Sequence, residues 1–523
     1  MVLFFNRDKD NPWDGKVSIY TYIKEQGNSV DGTLPDDDEF WEGSKMRWVA
    51  GGLDGALGHH ARPGEAEEEA QQLITLLAKH SRSPKETTRR LIYKRLIKLN
   101  VGGQIDALLD GIRGADGVSP SGLFHEAIWL AENAAHRNPV KFGIALLGLF
   151  ENEEAKELLL TLGRHDEFTL YAAVAVMNGM EDSNRVLFQM AQQVHGWGKI
   201  HLVERLKPDT PEIKAWLLRY GCRNNVMYEY LAYICAVNGE LDQALAAEQI
   251  DDELFDGAGD ILGALLAGGP AEDISDYEQG PQAIAHYLRH ARGMASTAGH
   301  LLIAANILDF LNAGEDEEVR GKRQAQGWTE PLVTQCREAC EAILSNPKWE
   351  AIIRAAVESG QGPGFHEGVT AAKHLNIDVW DVLYAQLEGN PIQDSHYLWL
   401  MGAAEADRIG KLVAFAEECL PLERIASGPG EEMGFGDEFA PHRCLNAILQ
   451  SLDRYEGMGR PLILAGLNSP VIRDRNMALR ALEAWDADAW GEPIVHAVNE
   501  LLEKEPEESV KERIQQLKVE KGQ

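Results

Sequence analysis

A helix-start pattern that recurs along the chain constrains its fold more than any other feature of the sequence. The clearest copy is Ser469–Leu482, which opens with Ser469-Pro470 and continues as an amphipathic segment. We predict Ser469 as the N-cap and Pro470 in the first helical turn, where a missing N–H costs nothing. One apolar face then carries Val471, Ala478 and Leu482. Three arginines fall off that face: Arg473, Arg475 and Arg480.

Looser copies of this pattern predict antiparallel helix pairs along most of the chain. They surround Ser83-Pro84, Asn138-Pro139 and Thr210-Pro211, and short junctions with Gly, Asn, Asp or Pro separate the helices. The spacing, roughly 35 to 45 residues, is typical of an α-solenoid, and the turns resemble those of HEAT-like repeats. We therefore predict an all-α fold, with a helical repeat array over residues 63–523. An ordinary multi-helix globule is the alternative.

Residues 1–62 differ from the rest and are predicted as an N-terminal extension or cap. This segment has an acidic loop at Asp31–Asp38 and four glycines within Gly51–Gly58. Trp41 and Trp48 flank the glycines and could line an apolar pocket. Farther along the chain, Ser427–Gly436 is the longest Gly-rich insertion and is a candidate binding loop, with a mobile connection as the alternative.

Charge and cysteine content exclude several classes of function. The chain has 50 Lys+Arg against 83 Asp+Glu, a net charge of −33, which repels nucleic acid and anionic lipid surfaces. Six cysteines are widely spaced and none forms a Cys-x-x-Cys motif. We find no apolar run of about 18 residues and no signal peptide, so we expect a cytoplasmic protein with no membrane segment.

Motifs for cofactors and metals are weak. Gly257, Gly259 and Gly263 follow no hydrophobic strand, and helix packing explains them better than a dinucleotide does. Cys222, beside Arg223, is the cysteine best placed for a lowered pKa. The candidate metal ligands form four groups: His125, Glu132 and His136; His286 and His290; His59 and His60 near Asp54; and His366, Glu367 and His374. No group supplies a full ligand set, so catalytic, cofactor-binding and metal-binding residues stay unassigned.

The opening through Trp13-Asp14-Gly15, the stretch Gly51–His60 and the helical repeats resemble bacterial proteins named limonene hydroxylase. That resemblance implies oxidation of a cyclic monoterpene, limonene, to carveol and perillyl alcohol. It also implies a perillyl-alcohol dehydrogenase activity that uses NAD or NADP, with a small apolar substrate. It assigns no role to any individual residue.

The residues themselves offer no catalytic motif for such chemistry. Hydroxylation of an unactivated C–H bond needs a flavin, haem, copper or iron centre, and the sequence has no recognisable motif for any of them. The alternative hypothesis is a non-catalytic α-solenoid that binds a protein partner on its concave face. Whether the chain is an enzyme is therefore left open by its sequence.

Overall fold

The computed structural model describes residues 11–27, 30, 32–43, 47–55, 67–99, 101–313, 321, 323–403 and 406–522. Within these residues every regular element is a helix, apart from an isolated parallel bridge between Glu432 and Val471. The predicted all-α class is confirmed. In the same part of the chain, no helix is both long enough and apolar enough to cross a membrane.

The chain divides into two compact units, one of residues 1–294 and 309–339 and the other of residues 295–308 and 340–523. The predicted boundary at residue 62 lies outside the described residues. The helices that lie wholly in the first unit are α1 Ile19–Gln26, α2 Asp37–Phe40, α3 Glu67–Arg82, α4 Glu86–Lys98, α5 Val101–Gly114, α6 Pro120–Asn133, α7 Arg137–Leu147, α8 Lys156–Leu162, α9 Asp166–Gly179, α10 Ser183–Ala191, α11 Trp197–Val203, α12 Pro211–Trp216, α13 Ala232–Gly239, α14 Leu241–Ala246, α15 Asp252–Ala267 and α16 Gly280–Met294.

Two helices, α17 Ala298–Asn312 and α18 Glu330–Leu344, contribute residues to both units. The helices of the second unit are α19 Lys348–Glu358, α20 Pro363–His374, α21 Trp380–Gly389, α22 Asp394–Ala403, α23 Ala406–Cys419, α24 Leu422–Ile425, α25 Ala440–Leu449, α26 Arg460–Leu467, α27 Ile472–Ala484, α28 Ala487–Lys504 and α29 Glu508–Lys521. Short 3₁₀ turns lie between helices in both units, and a π turn, Leu217–Gly221, lies in the first unit.

Helix starts follow the Ser/Thr-Pro pattern where the hydroxyl is free to cap. Thr210 accepts a hydrogen bond from the Ile213 N–H with Pro211 as the first helical residue. Ser119 caps α6 in the same way. The prediction for Ser469-Pro470 is wrong, because α27 begins at Ile472, after both residues. The Ser469 hydroxyl instead binds the Asp474 carboxylate at 2.9 Å, so the side chain serves a buried network and not the first helical turn.

That network surrounds a buried arginine, which the sequence placed off the apolar face. Arg475 and Glu505 have fully buried side chains and form a bidentate pair, with both N···O distances 2.6 Å. Arg475 also donates to the carbonyl oxygens of Ser469 and Gly430, each at 2.8 Å. The guanidinium therefore ties the Gly-rich insertion, the turn before α27 and the end of α28 together.

Removing this arginine tests how strongly the buried pair stabilises the second unit. Arg475→Met leaves the Glu505 carboxylate buried without a cation, which we expect to lower the free energy of unfolding by about 3–5 kcal/mol. Arg480→Met is the matched control, because Arg480 lies on the same helix in an exposed pair with Asp453 and should cost about 0–1 kcal/mol. Urea denaturation measures both. Equal losses in the two variants would contradict the assignment.

A second buried charge network holds the N-terminal segment against α7 and α9. Arg137 pairs with Asp36 at 3.0 Å, and both side chains are 3% exposed. Lys141 lies 2.6 Å from both Asp54 and Glu167. Two cations of α7 thus meet carboxylates from the irregular segment and from the start of α9, so these residues form a structural clamp with every charge paired.

The charges of the clamp stabilise the fold only over a limited range of pH. Burial opposes ionisation of Glu167, but the charges of Lys141 and Arg137 outweigh it and hold the pKa of that carboxyl below its usual value. Burial likewise opposes the charge of Lys141, but Glu167 and Asp54 raise the pKa of the amine above its usual value. The Glu167 contribution is present above the unfolded carboxyl pKa of about 4.3 and is lost as pH falls through the folded pKa. The Lys141 contribution is present below about pH 10.4 and is lost as pH rises through the folded pKa.

We therefore expect the segment at residues 47–55 to stay protected from hydrogen exchange between about pH 4.5 and pH 10. Lys141→Met leaves Asp54 and Glu167 without that cation, so the acid limit of protection should move upward towards neutral pH. Lys94→Met, at an exposed position of α4, is the control and should leave the limit unchanged. An unchanged limit in Lys141→Met would contradict the clamp.

Candidate functional site

A pocket of about 310 Å³ opens in the first unit between α10, α11 and the segment that follows α12. In contrast to the clamp, it contains a buried cation with no carboxylate partner among its lining. The ten lining residues are Ala191, Gln192, His195, Lys199, Trp216, Tyr220, Arg223, Asn224, Asn225 and Tyr228. We call this cavity the Lys199 pocket.

Lys199 forms the buried wall of the pocket. All seven residues of α11 are buried, so a lysine on this short helix is held in the interior; its exposed fraction is 5%. Its Nζ donates to the Tyr220 carbonyl oxygen at 2.7 Å and lies 5.2 Å from the centre of the Trp216 ring. His195, Asn225 and Tyr228 are exposed, so the pocket is open to solvent on the side away from the amine.

The carbonyl that receives this hydrogen bond belongs to the π turn Leu217–Gly221, which continues α12. Glycines fix the turn in place: a Cβ at Gly257 on α15 would overlap the Leu218 carbonyl oxygen, and a Cβ at Gly221 would lie 2.8 Å from the Cys235 sulfur. Helix α15 therefore packs directly on the turn. π turns are rare and are frequent at functional sites.

The opposite wall is a tight loop organised by Asn224. The Asn224 side-chain amide donates to the carbonyl oxygens of Cys222 and Met227, and its oxygen accepts from the backbone N–H groups of Val226 and Met227. Asn225 N–H donates to the His195 carbonyl at 2.6 Å, which joins the loop to the segment between α10 and α11. The pocket walls are thus held by hydrogen bonds as well as by packing.

The electrostatic character of the pocket is positive. No Asp or Glu occurs among its ten described lining residues, whereas Lys199, Arg223 and His195 all do. Carboxylates next to the lining residues already have partners: Asp260 accepts from Arg223 Nε at 2.5 Å, Glu253 binds the Tyr220 hydroxyl, and Asp166, which interacts with His195, accepts from the Gly198 N–H. Burial lowers the pKa of Lys199 to about 8, against an opposing effect of Cys235 and Cys222 that is larger than the further lowering by Arg223.

The prediction that Cys222 is the cysteine best placed for a lowered pKa is wrong. Its thiol is buried, and burial raises its pKa well above the usual value. The neighbouring Arg223 does not offset this effect, because its guanidinium pairs with Asp260. Burial also raises the pKa of Cys235 to about 12. Both thiols therefore stay protonated beside Lys199 and supply no counter-charge.

The candidate metal ligands are not brought together. His125 bonds to the Ser121 carbonyl, whereas His136 is buried against Tyr93 and Lys16. His286 and His290 bond to the backbone carbonyls of Asp242 and Leu245. In the third described group, His366 and His374 are exposed and Glu367 approaches Gly299. His59 and His60 lie outside the described residues. Within the described residues no group of three or more His, Cys, Asp or Glu could hold a metal ion.

The glycine-rich strings serve packing. Gly257 receives the π turn, as the helix-packing interpretation predicted. A Cβ at Gly55 would overlap the Trp197 indole, and one at Gly51 would overlap the Asp166 carbonyl oxygen. Trp197 is therefore the main indole packed against these glycines, and a Cβ at Gly52 would also lie 3.6 Å from the Trp48 ring. Protein atoms therefore pack closely against Gly51, Gly55 and Gly257.

Sequence reasoning missed Lys199, although one signal was present. The helix Trp197–Val203 has a single lysine among apolar, glycine and histidine residues, with no acidic residue before Glu204. Such a setting predicts that the lysine lies in the interior, where lysine rarely occurs unless it is paired. Its pocket partners come from other segments, which no local pattern identifies.

Comparison with models of known protein families and with curated proteins finds no match for this chain.

Proposed function

We propose that the protein is a HEAT-like helical-repeat protein that binds a small organic anion in the Lys199 pocket. The packing order supports the repeat arrangement: in the second unit α25 contacts α26 and α27, α26 contacts α27 and α28, and α27 and α28 both contact α29. Contact with the next helix and the next but one is the order expected when helix pairs stack.

The observation that carries the binding proposal is the unpaired cation. In a chain with a net charge of −33, the lining of one pocket has a lysine, an arginine and a histidine and no carboxylate. A buried ammonium ion without a counter-ion is destabilised by desolvation, and an anionic ligand would supply the missing charge. The anion would therefore bind more tightly than a neutral molecule of the same shape.

The walls indicate what the rest of the ligand is like. Trp216, Tyr220 and Tyr228 provide flat apolar surfaces, and the amide of Asn225 provides a polar edge. A volume of about 310 Å³ is at the lower end of the range for ligand pockets, about 300–1,000 Å³. A small carboxylate with a planar or aromatic group fits this combination.

Isothermal titration calorimetry with phenylacetate tests the proposal, with phenylacetamide as the neutral control. We expect saturable binding of phenylacetate, and proton uptake at pH 8, because a bound anion raises the pKa of Lys199 above about 8. Lys199→Met should weaken binding by about tenfold or more, since a charge-assisted contact is lost. Lys214→Met, at a half-buried lysine paired with Glu240, should bind normally. Equal affinity for the acid and the amide would contradict the proposal.

A second candidate function, binding of a protein partner, is favoured by the Gly-rich insertion in the second unit. Met433 and Phe435 are 55% and 71% exposed. The base of this loop is fixed, because Glu432 N–H donates to the Pro470 carbonyl and Ile472 N–H donates to the Glu432 carbonyl, each at 3.1 Å. Four acidic residues flank the apolar pair: Glu431, Glu432, Asp437 and Glu438. This arrangement fits a partner groove with an apolar floor and a basic rim.

The paired substitution Met433→Ser with Phe435→Ser tests this second candidate. We expect it to abolish capture of a partner whose binding weakens as salt rises, since the acidic flanks would meet a basic rim. Val519→Ser is the control, because Val519 is 83% exposed on α29 and its loss should change nothing. Capture that survives the paired substitution would exclude the loop as the contact.

Monoterpene oxidation with NAD or NADP, implied by the resemblance, stays a prediction. Its test is consumption of NADH or NADPH by the purified chain in the presence of limonene. A bound cofactor would also be visible in the absorbance spectrum.

A further inference from the structure

The amine of Lys199 combines three features that seldom occur together in one lysine. It is 5% exposed, it borders a cavity that opens to solvent, and no carboxylate lies among the described residues that line that cavity. The buried lysine Lys141, by comparison, has carboxylate oxygens of Asp54 and Glu167 at 2.6 Å. The two carboxylates therefore stabilise the protonated form of Lys141, whereas no carboxylate in the pocket lining stabilises the protonated form of Lys199.

Burial at the pocket wall is the largest influence on the charge of Lys199, and it exceeds the opposing effect of the two cysteines beside the amine. Desolvation lowers the pKa of Lys199 to about 8, and the positive charge of Arg223 also lowers it. The two thiols that face the amine, Cys222 and Cys235, have raised pKa values and stay uncharged. His195 lines the pocket from the segment between α10 and α11. A substantial share of the amine is thus neutral near pH 8, and the neutral form is the nucleophile.

The surrounding residues would also place a carbonyl compound. Arg223, whose Nε is bonded to Asp260, and His195 are the basic neighbours of the amine in the lining, and their remaining N–H groups suit a carboxylate. Trp216 lies beside Lys199 and suits an apolar substituent. A ligand whose reactive carbonyl is next to its carboxylate would bring that carbonyl to the amine, and this is the structure of a 2-oxo acid.

We infer that Lys199 is a nucleophile that forms an imine with a 2-oxo acid bound in the Lys199 pocket. The inference rests on the proposed anion-binding function. The amine nitrogen attacks the keto carbon, a C–N bond forms, and the carbonyl electron pair moves to oxygen. A proton passes from nitrogen to that oxygen to give a carbinolamine. Loss of the hydroxyl group with a second proton from nitrogen, as water, then gives the C=N bond.

The π turn has a defined role in this step. Its Tyr220 carbonyl accepts a hydrogen bond from Lys199 Nζ at 2.7 Å and so fixes the position of the nitrogen at the pocket wall. A carbonyl partner orients the amine but does not raise its pKa as a carboxylate would. The turn therefore positions the nucleophile while leaving it able to lose its proton.

Reductive trapping of the full-length protein tests the inference. The probe is phenylpyruvate with sodium cyanoborohydride, followed by peptide mapping by mass spectrometry. We expect a saturable adduct on Lys199, with a rate that rises through about pH 8. Exposed lysines titrate near pH 10.4, so at pH 8 the neutral fraction of Lys199 exceeds theirs by about 100-fold. An adduct spread over exposed lysines with no enrichment at Lys199 would overturn the inference.

Two variants separate the chemistry from folding defects. Lys199→Arg keeps the positive charge but has no primary amine, so it should abolish the adduct in a chain that urea denaturation shows to be folded. Lys214→Met should give the same adduct on Lys199 as the unmodified chain. A Lys199→Arg protein that is labelled as strongly as the original would show that the amine of Lys199 does not react.

Phenylacetate distinguishes this inference from the proposed function. Binding of phenylacetate without any adduct of phenylpyruvate overturns the imine and leaves the anion site standing. An adduct on Lys199 that phenylacetate does not suppress supports the imine and contradicts the anion site. Absence of both binding and adduct overturns the two together.

Discussion

A charge in a protein interior is stable only when an opposite charge or several hydrogen bonds lie within a few ångströms of it, and this chain depends on that constraint. The second unit has the fully buried pair Arg475–Glu505, which joins a loop, a turn and two helices. The first unit has Arg137 and Lys141, which hold the N-terminal segment on α7 and α9. In each case the charges connect segments that lie far apart in the sequence.

Lys199 departs from this pattern, and the departure gives the pocket its chemistry. Both lysines are buried, with exposed fractions of 5% for Lys199 and 2% for Lys141, but the hydrogen-bond partner of Lys199 is the carbonyl of a π turn. A structural lysine in the interior would be expected to have a carboxylate partner, as Lys141 does. The same chain therefore contains a paired and an unpaired version of one side chain, and the unpaired one borders a cavity.

Helical periodicity was sufficient to predict the all-α class, because an amphipathic helix shows its apolar face in its own sequence. The start of α27 was mispredicted, because the Ser469 hydroxyl can either cap a helix or join a buried network. In this chain it bonds to the Asp474 carboxylate and so joins the network. The burial of Arg475 was missed, since its partner Glu505 comes from the next helix. The Lys199 pocket was missed for a similar reason: a lowered pKa depends on which charges are absent from the surroundings, and tertiary packing alone determines them.

The most direct test of the account is an NMR titration of Lys199 in protein labelled with ¹³C at lysine Cε, with the signal assigned by its loss in Lys199→Arg. The account predicts that Lys199 titrates near pH 8 in the free protein and that phenylacetate shifts this titration to higher pH. Titration of Lys199 together with the exposed lysines, near pH 10.4 and unaffected by phenylacetate, would contradict it.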